Sequence, residues 1–301
     1  VGERPDRGTK IPFWGRGRAL GAAMHVAMMS SHAVHVISGL PRSGSTLLAA
    51  LLNQHPGVHA AGHHTPVAPM LVRLMSLMSE GEYETAFRDG QWQRLLRGVV
   101  EGYHAGAHGK PVLVDIGRDW CAHVPLLAAL YPDAKMICCV RDPVWILNSF
   151  ERLVAGDPLL RSRLVPIAHR ATQHDRIDYL MSREGAFGYA WRLVNEAFFG
   201  PHADRLMIVE YDRLVRDPRG VLAELEKSLG LAAFSYDTEN VKGPDASIFD
   251  SALGTPGLHA VRPRVAPVNR ALTLPPHIVE RLAHQMFWRE PKLNRGAAVI
   301  A

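Results

Sequence analysis

The sequence predicts an α/β protein: a three-layer α/β/α sandwich around a central parallel sheet. Three observations point there. Short apolar runs of strand length alternate with stretches of helical length. The strand-like runs are continuously apolar, as strands covered on both faces are. The first of them ends in Gly39-Leu40-Pro41 and passes straight into a helix rich in Leu and Ala.

The elements follow in order. Ala33–Ser38 (AVHVIS) reads as the first strand and Ser45–Gln54 as the helix after it, closed by His55-Pro56. Thr65–Ser79 and Tyr83–Tyr103 read as two further helices, and Pro111–Ile116 (PVLVDI) and Ala134–Val140 (AKMICCV) as the next strands. Asp142-Pro143 starts a helix, with Asp at the N-cap and Pro at the first helical position. Gly188–Phe199 is a helix, Leu206–Glu210 (LMIVE) a strand, and Pro218–Leu229 and Pro276–Trp288 the closing helices. Lys242–Pro267 lacks periodicity and is rich in Gly and Pro. It reads as a loop, and at that length a functional one. Residues 31–301 are expected to form a single domain.

Composition narrows the function classes. The chain has 301 residues, 47% hydrophobic and 21% charged, which excludes a disordered chain, a collagen-like repeat or a long coiled coil. The formal net charge is +5, of which residues 1–30 carry +3 and the rest +2. So balanced a body argues for localised anion sites and against a nucleic-acid partner. No apolar run approaches the roughly 18 residues of a membrane span. Three cysteines, two of them adjacent (Cys138, Cys139), make no disulfide framework and suit a reducing, cytoplasmic setting. A homodimer is compatible with all of this. Residues 1–30 run from a Gly/Arg-rich stretch to an apolar one, the outline of a secretory leader. No small-x-small cleavage site follows and a strand begins almost at once, so they read as a disordered or non-native extension.

The chemistry concentrates at Gly39-Leu40-Pro41-Arg42-Ser43-Gly44-Ser45-Thr46. Between a strand and a helix, successive backbone N–H groups and the helix N-terminus wrap an anion. The spacing is that of G-x-x-x-x-G in a Walker A loop, but Ser45 stands where a nucleoside triphosphatase has its Lys, and the cation comes earlier, at Arg42. That departure argues against triphosphate hydrolysis or kinase chemistry.

The stretch Ile37–Leu48 resembles the 5′-phosphosulfate loop of the sulfotransferase superfamily, and its PRSGST form looks most like bacterial members related to the tyrosyl-protein sulfotransferases. The resemblance implies a P-loop-type sulfotransferase fold. It implies transfer of a sulfuryl group from PAPS (3′-phosphoadenosine 5′-phosphosulfate) to an acceptor hydroxyl, with no metal. Indeed no His or Cys cluster shows zinc spacing, despite 16 histidines. Arg42, Ser43, Gly44, Ser45 and Thr46 would hold the 5′ end. Arg141, with Ser149 eight residues later, is similar to the family's 3′-phosphate site. An Arg there suits a phosphate because its planar fork donates two parallel hydrogen bonds. Tyr211, in Glu210-Tyr211-Asp212-Arg213-Leu214, is the adenine contact the resemblance implies, and Arg262, with Arg264, a late basic pair reaching the 3′-phosphate. Arg118 lies where the family places a cation for the departing phosphate.

In-line displacement at sulfur also needs a general base. Tyrosyl-protein sulfotransferases carry a Glu in a His-Pro-x-Val…Gly-Glu context. Here His55-Pro56-Gly57-Val58 is followed by Gly62-His63, so with one residue inserted His63 takes the Glu position. A histidine is chemically apt, with an ordinary pKa near 6.5. His64 and Asp115 are the next candidates. Trp120, Trp145 and Trp191 are either an aromatic acceptor pocket or core. The acceptor is expected to be a peptidyl tyrosine, with a small-molecule hydroxyl as the alternative. A P-loop kinase, or a binding protein that has lost the chemistry, is the rival from another class.

Overall fold

In a computed structural model, residues 32–88, 90–107, 109–156 and 163–301 are described; the expectation for residues 1–30 falls outside them. The strands are β1 (Ala33–Gly39), β2 (Val58–Ala60), β3 (Val112–Ile116), β4 (Met136–Val140), β5 (Leu206–Glu210) and β6 (Ala298–Ile300). They form one sheet in the order β2-β3-β1-β4-β5-β6, every pairing parallel. The helices are α1 (Ser45–Leu52), α2 (Val67–Met78), α3 (Gln91–Tyr103), α4 (Val124–Leu130), α5 (Pro143–Gly156), α6 (Gln173–Met181), α7 (Ala186–Phe199), α8 (Tyr211–Arg216), α9 (Pro218–Leu229), α10 (Ser247–Ala252) and α11 (Pro276–Leu282).

Side chains of a strand alternate between its two faces, so an apolar strand feeds two cores. Val34, Val36, Leu113, Met136, Cys138, Leu206 and Ile208 join one cluster, with α2 to α7 and α11. Ile37, Val112, Val114, Ile137, Cys139, Met207 and Val209 join the other, with α1, α8 and α9. The sheet is thus the middle of three layers, as its continuously apolar strands predict, and adjacent Cys138 and Cys139 fill opposite cores. Each fully buried Leu, such as Leu48 or Leu51, contributes about 1.5–3 kcal/mol relative to exposure.

Local signals set the helix boundaries. The Asp142 carboxylate accepts from the Val144 N–H at 2.9 Å and Pro143 opens α5. Asp217 accepts from the Gly220 N–H at 3.0 Å and Pro218 opens α9. The helix expected over Tyr83–Tyr103 is in fact a 3₁₀ turn, Gly81–Ala86, and then α3, because Gly90 adopts φ 71° and breaks the run. The helix expected over Pro276–Trp288 stops at Leu282, and Trp288 sits in a separate turn. The Lys242–Pro267 loop carries α10 and is pinned at its base, where the Val241 N–H donates to the Pro263 carbonyl and the Val265 N–H to the Thr238 carbonyl, each at 2.8 Å. Short β2 and β6, and α4, α6 and α8, had no distinct periodic signal.

Strand β1 lies between β3 and β4. The chain leaves β1 towards β2 and β3 on one side and then crosses to β4 on the other. This reversal opens a crevice at the strands' carboxyl ends, where open α/β sheets bind ligands.

Strand β1 carries a buried histidine: His35 Nδ1 accepts from the Lys135 N–H at 3.0 Å, and among the described residues its Nε2 has no partner. Burial, then Lys135, pushes its pKa down to about 4. Its folded value therefore lies below the unfolded one near 6.5, so its contribution is complete above pH 6.5 and is lost as pH falls towards 4. Denaturation between pH 7 and 4 should show a loss of about 3 kcal/mol from this residue, and His35→Asn should flatten the slope. An unchanged slope would contradict the assignment.

Candidate active site

The loop after β1 is built by backbone constraint. Gly39 adopts φ 118°, and a Cβ there would stand 2.1 Å from the Cys139 carbonyl oxygen of β4. No other residue fits so close to a neighbouring strand. The Leu40 N–H then bonds that same carbonyl at 2.8 Å. Arg42 takes a left-handed φ of 59° and Gly44 one of 88°, after which α1 begins with no side chain capping it. The first N–H groups of a helix have no intrahelical partner, so those of α1 stay available, with Ser45 and Thr46 on the wall of a cleft. Ser43 is buried, and its hydroxyl faces the Pro41 carbonyl at 3.4 Å.

The carboxyl ends of four neighbouring strands supply this cleft. Arg118 follows β3, Arg42 follows β1, Arg141 follows β4 and Tyr211 follows β5, and all four line it. Arg141 lies over the Tyr211 ring, 4.2 Å from its centroid, a cation–π contact. Its Nη1 donates to the Arg42 carbonyl at 3.3 Å. Arg42 Nε donates to Ser149 Oγ at 3.2 Å, and its Nη1 to the Leu258 carbonyl. Ser149, expected beside Arg141, thus sits against Arg42, and the two expected anion sites adjoin each other. The Ser38 hydroxyl donates to the Arg118 carbonyl at 3.0 Å, fixing the β3 end against β1. Arg262 and Arg264 line the cleft too, both exposed, and Arg264 pairs with Glu239 at 3.0 Å. Sequence reasoning missed Arg270, which also lines it.

The electrostatics are one-sided. Burial lowers the pKa of Arg42, Arg118 and Arg141. Arg270 and Arg141 add repulsion at Arg42. Among the described residues none of the three is ion-paired with a carboxylate. The Nε atoms of Arg118 and Arg141 are buried without a partner among the described residues. Buried cations are costly unless paired, so the cleft is built for an anion.

The candidate bases scatter. His63 Nδ1 donates to the His64 carbonyl at 2.9 Å and its ring stacks on Phe249 at 4.8 Å; it borders the cleft without being one of its lining residues. His64 does line it, but burial, then Arg118, pushes its pKa down to about 3. Asp115 is fully buried and accepts from Thr65 Oγ1, His104 Nε2 and Trp120 Nε1 at 2.7, 2.9 and 2.6 Å. Trp120 is therefore core, and Trp191 lines a separate cavity with Phe187 and Phe287. His259, which sequence reasoning passed over, lines the cleft and bonds Asp250.

A family model described as Sulfotransferase family matches residues 36–235, which takes in the loop, Arg118, Arg141, Ser149 and Tyr211. The chain belongs to the sulfotransferase family. Protein-tyrosine sulfotransferase 1 of Danio rerio is 33% identical over 202 residues, 65% of this chain and 52% of that one. The Mus musculus protein of the same name is 33% identical over 113 residues, 35% of this chain and 30% of that one. The chain thus spans between about a third and a half of these relatives' length. The sulfotransferase domain from the curacin biosynthetic pathway superposes with a TM-score of 0.52 at 17% identity, covering 85% of this chain and 97% of that one, and shares the fold. Among the described residues no helix of this sulfotransferase-family chain is long and apolar enough to cross a membrane.

An unpaired cluster of buried guanidinium groups should be stabilised by small anions. Inorganic phosphate should raise Tm more than chloride at equal ionic strength, and Arg141→Gln should reduce the gain. Equal gains from both salts, measured by thermal denaturation, would contradict the reading.

Proposed function

We propose that the chain transfers a sulfuryl group from PAPS to an acceptor hydroxyl, with a peptidyl tyrosine as the first acceptor to test. One observation carries the reading. A cleft at the sheet's switch point joins a P-loop-like turn after β1 to Arg141 after β4, and holds buried guanidinium nitrogens with no partner. A nucleotide with phosphates at both its 5′ and 3′ positions is the ligand that two adjoining cation sites suit. The partnerless Nε atoms of Arg118 and Arg141 fit it better than they fit a single phosphate. Named relatives that are protein-tyrosine sulfotransferases support the tyrosine.

When bound, PAPS supplies the activated sulfuryl group. The protein's part is to bind, orient and neutralise. Arg42, the hydroxyls of Ser45 and Thr46, and the backbone from Ser43 to Thr46 would hold the 5′ end against the start of α1; the Ser43 hydroxyl, expected there, is turned instead to the Pro41 carbonyl. Arg118 sets a second cation where charge collects on the departing oxygen. Arg141, with Arg262 from the late loop, would serve the 3′-phosphate, and Ser149 holds the Arg42 guanidinium. Tyr211, already held by Arg141, offers its ring to the adenine.

Calorimetry with PAP, the desulfated nucleotide, tests the site. Arg42→Ala and Arg141→Ala should each weaken PAP binding by about 1–3 kcal/mol, and wild-type affinity in both would refute the assignment. Thermal shift separates the reading from a kinase, since PAP should stabilise the protein without Mg²⁺ and more than ATP does. Stabilisation by Mg·ATP alone would reverse the conclusion.

A further inference from the structure

We propose that His259, held by Asp250, is the base that takes the acceptor's proton; this rests on the sulfotransferase reading and names the base for it. His259 Nδ1 lies 2.5 Å from Asp250 Oδ1, and its own backbone N–H donates to Asp250 Oδ2 at 3.0 Å. Both carboxylate oxygens are thus spent on one residue. A carboxylate only accepts, so the Nδ1 carries a ring proton, and in the neutral ring Nε2 is left with the lone pair. Asp250 is 2% exposed, which strengthens its hold on an imidazolium once formed.

The dyad is preorganised. The Thr255 N–H donates to the Asp250 carbonyl at 2.9 Å and the Leu258 N–H to the Thr255 carbonyl at 3.1 Å, closing a turn that brings His259 back onto Asp250. The Leu258 carbonyl, next to His259 in the chain, accepts from Arg42. The histidine is thereby tied to the phosphate-loop cation. Its ring lies edge-on to Phe249 at 5.3 Å and to His64 at 6.1 Å. None of the other candidates has this combination. His63 is off the cleft wall, His64 is a weak base beside Arg118, and Asp115 has both oxygens engaged.

The acceptor oxygen bonds to sulfur as the bond from sulfur to the bridging phosphate oxygen breaks, leaving its electron pair on that oxygen beside Arg42 and Arg118. The acceptor's proton passes to His259 Nε2, and Asp250 stabilises the resulting imidazolium, which later releases the proton to water. His259 is the catalytic residue here and Asp250 a positioning residue.

Two readouts test this. NMR of ¹⁵N-histidine protein should show an Nδ1-protonated ring with a far-downfield proton, absent in His259→Gln and in Asp250→Asn. PAP release from PAPS, with p-nitrophenol, a tyrosine peptide or water as acceptor, should fall about 10²–10⁴-fold in His259→Gln, with PAP affinity by calorimetry within threefold of wild type. Unchanged release in His259→Gln, or an equal loss found only in His63→Ala, would overturn the proposal while leaving the sulfotransferase reading standing. If the wild type neither binds PAP nor releases it from PAPS, that reading fails and this one with it. Should His259→Gln not fold, the wild-type spectrum decides, and an Nε2-protonated His259 ring overturns the dyad.

Discussion

Three guanidinium groups, those of Arg42, Arg118 and Arg141, sit half-buried together at the carboxyl ends of the central strands, and none is paired with a carboxylate among the described residues. Much of the cleft's construction follows from keeping them there. Tyr211 covers Arg141, Ser149 and the Leu258 carbonyl hold Arg42, and Ser38 anchors the backbone of Arg118. Each contact is uncharged. Neutral partners fix a cation's position without satisfying its charge, and so leave the attraction for a ligand.

The sheet makes this convergence cheap. Parallel strands present all their carboxyl ends to the same side, and the turn after β1 lies at the switch point, where open α/β sheets bind ligands. The contact of Gly39 with the β4 backbone and the left-handed turns at Arg42 and Gly44 belong to that turn. A left-handed Arg is uncommon outside functional turns. Here it carries the cation over the start of α1. The late loop completes the cleft from above, tied to Arg42 by Leu258 and to itself by the Asp250–His259 pair.

Much of this was legible in the residues. The apolar runs of β1, β3, β4 and β5 marked the layers, and the caps at Asp142 and Asp217 marked the helices, because burial on both faces and an unsatisfied helix start each leave a local trace. The loop Gly39–Thr46 was legible for the same reason, since its glycines and hydroxyls are contiguous. The helix expected over Tyr83–Tyr103 was misjudged before Gln91, because the left-handed φ of Gly90 is not visible in the spacing. Arg270 and the Asp250–His259 dyad were not legible. The dyad lies in the aperiodic Lys242–Pro267 segment and Arg270 just after it, and their meaning comes from a fold-back that brings this stretch to residues more than 200 positions earlier, such as Arg42. His63 was singled out by likeness to a family motif, whereas its ring orientation depends on Phe249, far along the chain.

If a doubly phosphorylated nucleotide spans the ends of β1 and β4, a crystal structure with PAP bound will show the 5′-phosphate in the turn between Gly39 and Thr46 and the 3′-phosphate within hydrogen-bond reach of Arg141, with the Nε atoms of Arg118 and Arg141 satisfied. A nucleotide seated elsewhere, or one whose phosphates touched neither Arg42 nor Arg141, would contradict it.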